Sequence, residues 1–471
     1  MKRTAAKTVS STSLADSADK HVFSSSKVKS KLRSGDLKIA MYGLGHVGSP
    51  LAAAWLRAGA YVIGFDKSPA VLANARQGRT HVPEPGVNEA FSRGIKTKHF
   101  LVYDDPVKAA HESFLKMICV PVLLTDGSFS ADLSAIKQVA STIARGMKKG
   151  DIVSLNPSVP PGTSEDVILP ILEKESGLTV EKDFFMLYNP ERIYEGRAIE
   201  DIEERYPAVI SGAGPRSLEL GKALYSFIFK KGVIQLSSMR TAETEKLLEG
   251  IYRDVNIALA NELAKFCERI GVDFWEAREA ANSQPFSHIH RPGAGVGGAC
   301  IPVYPHFVLH TADAMKIDCN ITRLSRNVND TMPAYCAQQA VSLLNAHSSD
   351  ATIAVLGLAF RGGVSDTRLS PTYDVISELQ KLRVGRIRVH DPLVKADARL
   401  EKEGIPVTQN LKQAIDGADL IMLVADHPEY RELSSKITGA TPIYDGRGML
   451  DRSKFQHGRI ASIGRPRPQA G

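Results

Sequence analysis

The chain has 471 residues, 43% of them hydrophobic and 24% charged, with 37 glycines, 25 prolines and a formal net charge of +7. At roughly 100–200 residues per domain this length holds about two to four domains. The ordinary composition excludes a wholly disordered, collagen-like or coiled-coil protein, and no apolar run approaches the roughly 18–20 residues that cross a bilayer.

Residues 1–36 form the first predicted segment, a basic arm. Residues 1–35 hold eight Lys or Arg against Asp16 and Asp19, and nine serines. So polar a stretch buries too little surface to offset its ordering entropy, and it is expected to be disordered. It lacks the apolar centre of a secretory signal. The rest of the chain is near neutral, which gives no case for nucleic-acid binding.

Leu37–Tyr42 reads as a buried strand, followed by Gly43-Leu44-Gly45-His46-Val47-Gly48 and an Ala/Leu-rich helix to about Ala58. A second strand, Tyr61–Phe65, ends at Asp66, and further strands are expected at Leu115–Val120, Asp151–Leu155 and Phe184–Leu187. Strand–helix alternation over residues 37–240 predicts a doubly wound, mostly parallel sheet. From about Thr241 apolar residues recur at three- and four-residue steps, which predicts one long amphipathic helix ending before Gly271. Helical sequence continues to residue 348. Strand-like runs at Thr352–Leu356, Arg386–His390, Asp419–Val424 and Pro442–Tyr444 then predict a second α/β domain over 349–465, with a loose tail at 466–471. The expected fold is therefore α/β: two doubly wound Rossmann-like domains joined by a long central helix and a helical dimerisation region.

The glycine motif stands in a complete context. It follows a buried strand and opens a helix, and Asp66 ends the next strand. Gly43, Gly45 and Gly48 permit a tight turn and close approach of backbone to a pyrophosphate at a helix N-terminus, with Val47 in the turn. Asp66 is placed to accept hydrogen bonds from a ribose and to repel a 2′-phosphate, which points to NAD.

The five cysteines, Cys119, Cys267, Cys300, Cys319 and Cys336, are odd in number and show neither a CxxC pair nor zinc-type spacing, so free thiols in a cytoplasmic protein and no metal are expected. Cys300 has unusual neighbours. It stands directly behind Gly293, Gly295, Gly297 and Gly298 in the run RPGAGVGGACIP at 291–302. Such a loop can bring backbone amides against a phosphate or sugar. A thiol beside it, in a protein that binds a hydride acceptor, points to aldehyde oxidation through a covalent thioester. The alternative is a buried structural cysteine after a flexible loop, although core filling explains a cysteine in this place poorly.

Eight blocks in register then show a likeness to a family. They are GLGHVGSPLA at 43–52, EPGVNE at 84–89, SVPPGT at 158–163, NPERIYEGRAIED at 189–201, TAETEKLLEGIYRDVNIALANELA at 241–264, PGAGVGGACIP at 292–302, VLGLAFRGGVSDTRLSP at 355–371 and YDGRGML at 444–450. Over about residues 37–460 the chain resembles the nucleotide-sugar 6-dehydrogenases (UDP-glucose, UDP-N-acetylmannosamine and GDP-mannose dehydrogenases), nearest the UDP-N-acetylhexosamine branch.

The resemblance implies an NAD-binding domain, a helical dimer core and a UDP-sugar-binding domain. It implies a four-electron oxidation of a sugar C6 alcohol to a carboxylate with two NAD. By that likeness Cys300 is the nucleophile, Lys246 the cation that stabilises oxyanions, Glu191 the acid that activates water and Ser158 the hydroxyl that orients it. Glu195 falls on a cofactor- or substrate-side position. Arg361 and Arg368 fall where substrate and cofactor phosphates lie, Arg361 with the substrate and Arg368 with the cofactor, and Gly295 and Gly297 line the substrate. The implied partners are a UDP-sugar and a second copy of the chain, with neither nucleic acid nor integral membrane association.

On the residues alone, Lys246 reads first as a solvated helix charge, while Glu191 and Glu195 are equally surface carboxylates and the two arginines equally a solvated loop. Four positions depart from the family pattern: Tyr304 for an Asp four residues after the thiol, Ala299 for a His, Gly250 for an Asn one turn after Lys246, and Val122 for a Thr. A phenol, with an ordinary pKa of about 10, is a poor base at neutral pH. These departures keep open a catalytically silent UDP-sugar or NAD binder. Also open are UDP-glucose as the substrate and a two-electron dehydrogenase of the β-hydroxyacid type.

Overall fold

The computed structural model describes residues 25–125, 130–344, 347–437, 441–455 and 460–467. The chain divides into two compact units, one of residues 1–122 with 133–243 and the other of 123–132 with 244–471.

The first unit is built on eight strands: β1 (Lys38–Tyr42), β2 (Tyr61–Phe65), β3 (Phe100–Val102), β4 (Leu115–Ile118), β7 (Ile152–Leu155), β8 (Phe185–Tyr188), β9 (Ala208–Gly212) and β10 (Val233–Gln235). They form one sheet in the order β10-β9-β8-β7-β4-β1-β2-β3. The short strands β5 (Leu123–Leu124) and β6 (Ala131–Asp132) pair separately. The expected strands reappear within a residue or two at each end. Their near-continuous apolar composition reflects burial on both faces of a parallel sheet. One pair is antiparallel: β8 and β9 register Leu187 with Gly212 and Tyr188 with Ser211. Nothing in local periodicity announces that reversal, because strand direction is set by the connection and not by the strand.

Lys116 lies in central strand β4 with no exposed surface, its ammonium paired with Asp151 and donating to the Ser113 carbonyl. Burial lowers its pKa to about 8 despite the carboxylate beside it.

The arm expectation needs correction. Residues 1–24 lie outside the described residues, but Ser25–Ser34 is a helix whose Val28 and Leu32 are buried in the first unit's core with Trp55 and Tyr225. Val28 and Leu32 are four residues apart, so one helical face supplies both. High charge on the other face concealed this short stripe. At the far end Arg467, placed in the loose tail by the sequence, donates hydrogen bonds to Gln339 and Ser342.

The second unit carries six strands: β11 (Thr352–Leu356), β12 (Arg386–His390), β13 (Val407–Thr408), β14 (Leu420–Leu423), β15 (Ile443–Asp445) and β16 (Ile460–Ser462). Their sheet runs β13-β12-β11-β14-β15-β16 and is parallel in every pair. The predicted long helix spans Met239–Ile270, beginning in the first unit and continuing in the second. No helix among the described residues is long and apolar enough to cross a membrane.

Candidate functional site

In the first unit the candidate residues gather beyond the carboxyl ends of β1, β4, β7 and β8. The sheet order reverses between β1 and β4, and open α/β sheets bind ligands at such a point. Gly43 leaves β1 with φ +98°, a conformation that a side chain disfavours. A Cβ on Gly48 would lie 1.8 Å from the Gly43 carbonyl oxygen, so helix and turn meet only because position 48 is bare. Gly45 differs, since a Cβ there meets nothing within 4 Å. Val47 is the helix N-cap without a side-chain cap bond, leaving the first amides of the Gly48–Arg57 helix uncapped by side chain. Asp66 accepts from the Leu44 amide on one oxygen and from the Ser68 amide on the other, both at 2.9 Å, and each oxygen retains a lone pair. Open space at Gly45, amides at a helix start and a carboxylate with spare acceptor capacity fit a dinucleotide.

Ser158 follows β7 and is half-buried. Its loop is clamped from the long helix. Glu243, with no exposed surface, accepts from the backbone amides of Gly162 (2.5 Å) and Ser164 (2.7 Å). Burial pushes this carboxyl up to about 7, against the lowering effect of those bonds. Glu191 and Glu195 follow β8. The Glu191 carboxylate accepts from the Arg192 amide, and Glu195 lies 3.6 Å from His46 Nδ1 in the glycine turn. Their loop is held by buried Glu84, which accepts from the amides of Gly196 (2.8 Å) and Ala198 (2.6 Å). Glu84 and Glu243 stand inside two of the family blocks, yet nothing beside them in the chain reveals a role. The blocks were the signal, but the partners are 112 and 81 residues away in sequence.

In the second unit, Cys300 is the exposed thiol of the five. Cys119 and Cys336 are buried, and burial pushes both thiols up, Cys336 to about 12. The loop before Cys300 is tied to the long helix, since Asn256 accepts from the His290 amide and Asn261 from the Gly293 amide. Its other end is tied to the Arg368 carbonyl, which accepts from the Gly298 amide. The glycines have a protein reason as well. A Cβ on Gly295 would lie 2.6 Å from Pro371, and one on Gly297 2.6 Å from the Leu369 carbonyl oxygen. Close loop-on-loop packing therefore requires these glycines whatever ligand the loop takes.

Behind the thiol a helix begins at Tyr304, whose amide donates to the Cys300 carbonyl. Lys246, buried on the long helix, has its ammonium 3.7 Å from Glu249 and 6.0 Å from the centre of the Tyr304 ring.

Arg361 follows β11, lies over the Phe360 ring and donates to the Gly362 carbonyl. Arg368 is held by Asp366 through Nε and Nη2. Buried Asp391, at the end of β12, orders the Arg361 loop by accepting from the Leu358 and Ala359 amides. Against burial, which acts to raise it, its bond with His427 holds its pKa below the usual value. A cavity of about 230 Å³, which sequence reasoning missed, is lined by Arg291, Arg431, Arg447 and Arg465 with Asp426 and Trp275. Arg431, Arg447 and Arg465 follow the carboxyl ends of β14, β15 and β16. Parallel pairing of those strands thus gathers cations that are far apart in sequence.

These two sheets, one ending on a glycine turn that fits a dinucleotide and the other on clustered arginines, mark the class of two-unit α/β proteins suited to nucleotides. The chain matches the UDP-glucose/GDP-mannose dehydrogenase family in three parts, the NAD binding domain at residues 37–229, the central domain at 240–331 and the UDP binding domain at 354–452. It belongs to that family and is an NAD-dependent nucleotide-sugar dehydrogenase. It is 34% identical over 421 residues to the UDP-N-acetyl-D-mannosamine dehydrogenase of Pyrococcus horikoshii, covering 88% of this chain and 96% of that one. It is also 34% identical to the UDP-N-acetyl-D-glucosamine 6-dehydrogenase of Pseudomonas aeruginosa, covering 89% and 98%. The solved P. horikoshii UDP-N-acetylmannosamine dehydrogenase superposes with a TM-score of 0.82 at 32% identity, covering 91% of this chain and 99% of that one.

Proposed function

We propose that the protein oxidises the C6 alcohol of a UDP-N-acetylhexosamine, UDP-N-acetylmannosamine or UDP-N-acetylglucosamine, to the carboxylate through a thioester on Cys300. The observation that carries this reading is an exposed thiol one helical turn from Tyr304, whose ring centre lies 6.0 Å from the buried ammonium of Lys246. The relatives named above support the choice of sugar.

NAD, held by Gly43, Gly45, Val47, Gly48 and Asp66 with Glu195 and Arg368, supplies a hydride acceptor for each of the two oxidations. Cys300 adds its sulfur to the aldehyde carbon, forming a C–S bond, and the carbonyl oxygen becomes an oxyanion. Lys246 stabilises that charge, and because its own side chain is buried the cation acts more strongly than one in open water. After the second oxidation the thioester is hydrolysed. Glu191 takes a proton from the attacking water, Ser158 orients it, the C–S bond breaks and the thiol is restored. Arg361 and the arginine-lined cavity supply charge for the diphosphate, and Gly295 and Gly297 shape the sugar loop.

A homodimer in the cytoplasm completes the proposal. Exposed Leu248, Tyr252, Leu259, Phe266 and Ile270 on the long helix suit a second copy, and five unpaired thiols suit a reducing compartment.

The test is stoichiometry. Incubation with NAD and a panel of UDP-sugars is expected to yield two NADH and one uronate per sugar, with UDP-N-acetylhexosamines preferred over UDP-glucose. Cys300→Ser should abolish or sharply slow acid formation. One NADH with a ketone product, or undiminished acid formation by Cys300→Ser, overturns the mechanism. Tight sugar binding without turnover would establish instead the silent binder that the Gly250 and Tyr304 departures favour.

A further inference from the structure

Gly250 and Tyr304, 54 positions apart in sequence, are in contact. Gly250 is buried in the interior of the long helix, where glycine costs roughly 1 kcal/mol against alanine. A Cβ at 250 would lie 2.3 Å from Tyr304 Cδ2 and 3.2 Å from both Cγ and Cε2. The ring therefore occupies the space that any other residue at 250 would fill. Tyr304 is 4% exposed, so it has no open side toward which to yield. One turn earlier on the same helix face, Lys246 directs its ammonium to within 6.0 Å of the ring centre. That ammonium is almost dry, and its carboxylate neighbour at 3.7 Å, Glu249, is itself partly exposed. An ammonium near an aromatic face is attracted by the ring quadrupole, more strongly as water is removed.

We propose that Tyr304 is a positioning residue for Lys246, its ring face fixing the ammonium, and that Gly250 is the gap in the long helix that admits the ring. The two positions that break the family pattern are then one linked exchange. An aromatic face seated on a bare backbone then holds Lys246 in place, and the two departures serve the site together. The phenol hydroxyl takes no part as an acid or base. The inference rests on the reading of Lys246 as the oxyanion-stabilising cation.

Four variants of the full-length enzyme test it, assayed for kcat and KM with the best UDP-sugar and excess NAD, with melting temperatures in parallel. Tyr304→Phe keeps the ring and is expected to keep kcat within about twofold. Tyr304→Leu removes the ring face, and Gly250→Ala drives the ring away. Each should lower kcat about tenfold while KM for the sugar changes less than about twofold. The double variant Gly250→Ala/Tyr304→Leu should be no slower than Tyr304→Leu alone, because a Cβ at 250 then has no ring to displace. It should also melt higher than Gly250→Ala alone. A tenfold loss in Tyr304→Phe would transfer the role to the hydroxyl and overturn the proposal. So would wild-type kcat in Gly250→Ala, or strictly additive losses in the double variant. Lys246→Ala, run beside them, separates the two layers of argument. If it keeps full kcat, both the reading of Lys246 and this inference fall. If it loses kcat while the ring variants do not, only the inference falls.

Discussion

Gly45 and Gly48 carry the same residue type in one motif for opposite reasons, and substituting each separates stability from cofactor binding. At Gly48 an alanine Cβ would start 1.8 Å from the Gly43 carbonyl oxygen, while real Cβ atoms stay beyond 3.0 Å. The helix or the turn must shift by the difference, at least 1.2 Å, in an interior packed to crystal density. Gly48→Ala is therefore expected to cost on the order of 1–3 kcal/mol of stability, as overpacking generally does. At Gly45 the Cβ meets nothing within 4 Å, and the residue's φ is not positive, so alanine is accommodated without strain. Its methyl group instead fills the space through which a pyrophosphate would approach the turn. Losing one charge-assisted hydrogen bond is worth about 1.5–3 kcal/mol, or a ten- to hundredfold rise in the Kd for NAD. Calorimetric titration with NAD and thermal unfolding of both variants are the assays. Gly45→Ala should melt with the wild type and bind NAD at least tenfold more weakly, whereas Gly48→Ala should melt several degrees lower. Wild-type NAD affinity in Gly45→Ala would refute the placement of the dinucleotide.

The buried clamps give further expectations. Glu243→Ala strips the acceptor from two amides and should cost about 2–5 kcal/mol, read by urea unfolding of the first unit's transition. The Glu243 pKa is raised to about 7 from an ordinary 4.5, so the stability it contributes is full below pH 4.5 and is lost as pH rises through 7. The wild type should lose about 3 kcal/mol over that window from this group, and Glu243→Gln should flatten that part of the profile. Glu84→Ala should free the Gly196 and Ala198 amides, speeding proteolysis of the 190–198 loop with little change at the distant termini. Asp391→Ala leaves the amides of Leu358, Ala359, Leu393 and Val394 without their acceptor. It should lower the second unit's unfolding transition by several degrees, and an unchanged transition would deny Asp391 its place as the organiser of the Arg361 loop.

Much of this protein was legible before any coordinates. The strands β1, β2, β11 and β12, the glycine turn with Asp66 and the long helix are each announced by contiguous residues. Burial on both faces makes an apolar run, a tight turn selects glycine, and one buried stripe repeats every three to four residues. Cys300 was legible for the same reason, as a thiol directly behind four glycines. The sequence by itself thus determined the fold class and the glycine turn and singled out the thiol proposed as nucleophile, which are properties of neighbours along the chain. Tertiary structure alone decided what the lone polar residues do. It decided that Glu84 and Glu243 latch loops over a hundred and some eighty residues away, and that Val28 and Leu32 anchor a charged arm. It brought together arginines from three strand ends, and it showed that Gly250 is bare because Tyr304 lies on it. A buried acceptor or a bare helix position must be matched by whatever the folded chain brings against it. That partner is chosen by topology, and nothing in the residues on either side records it.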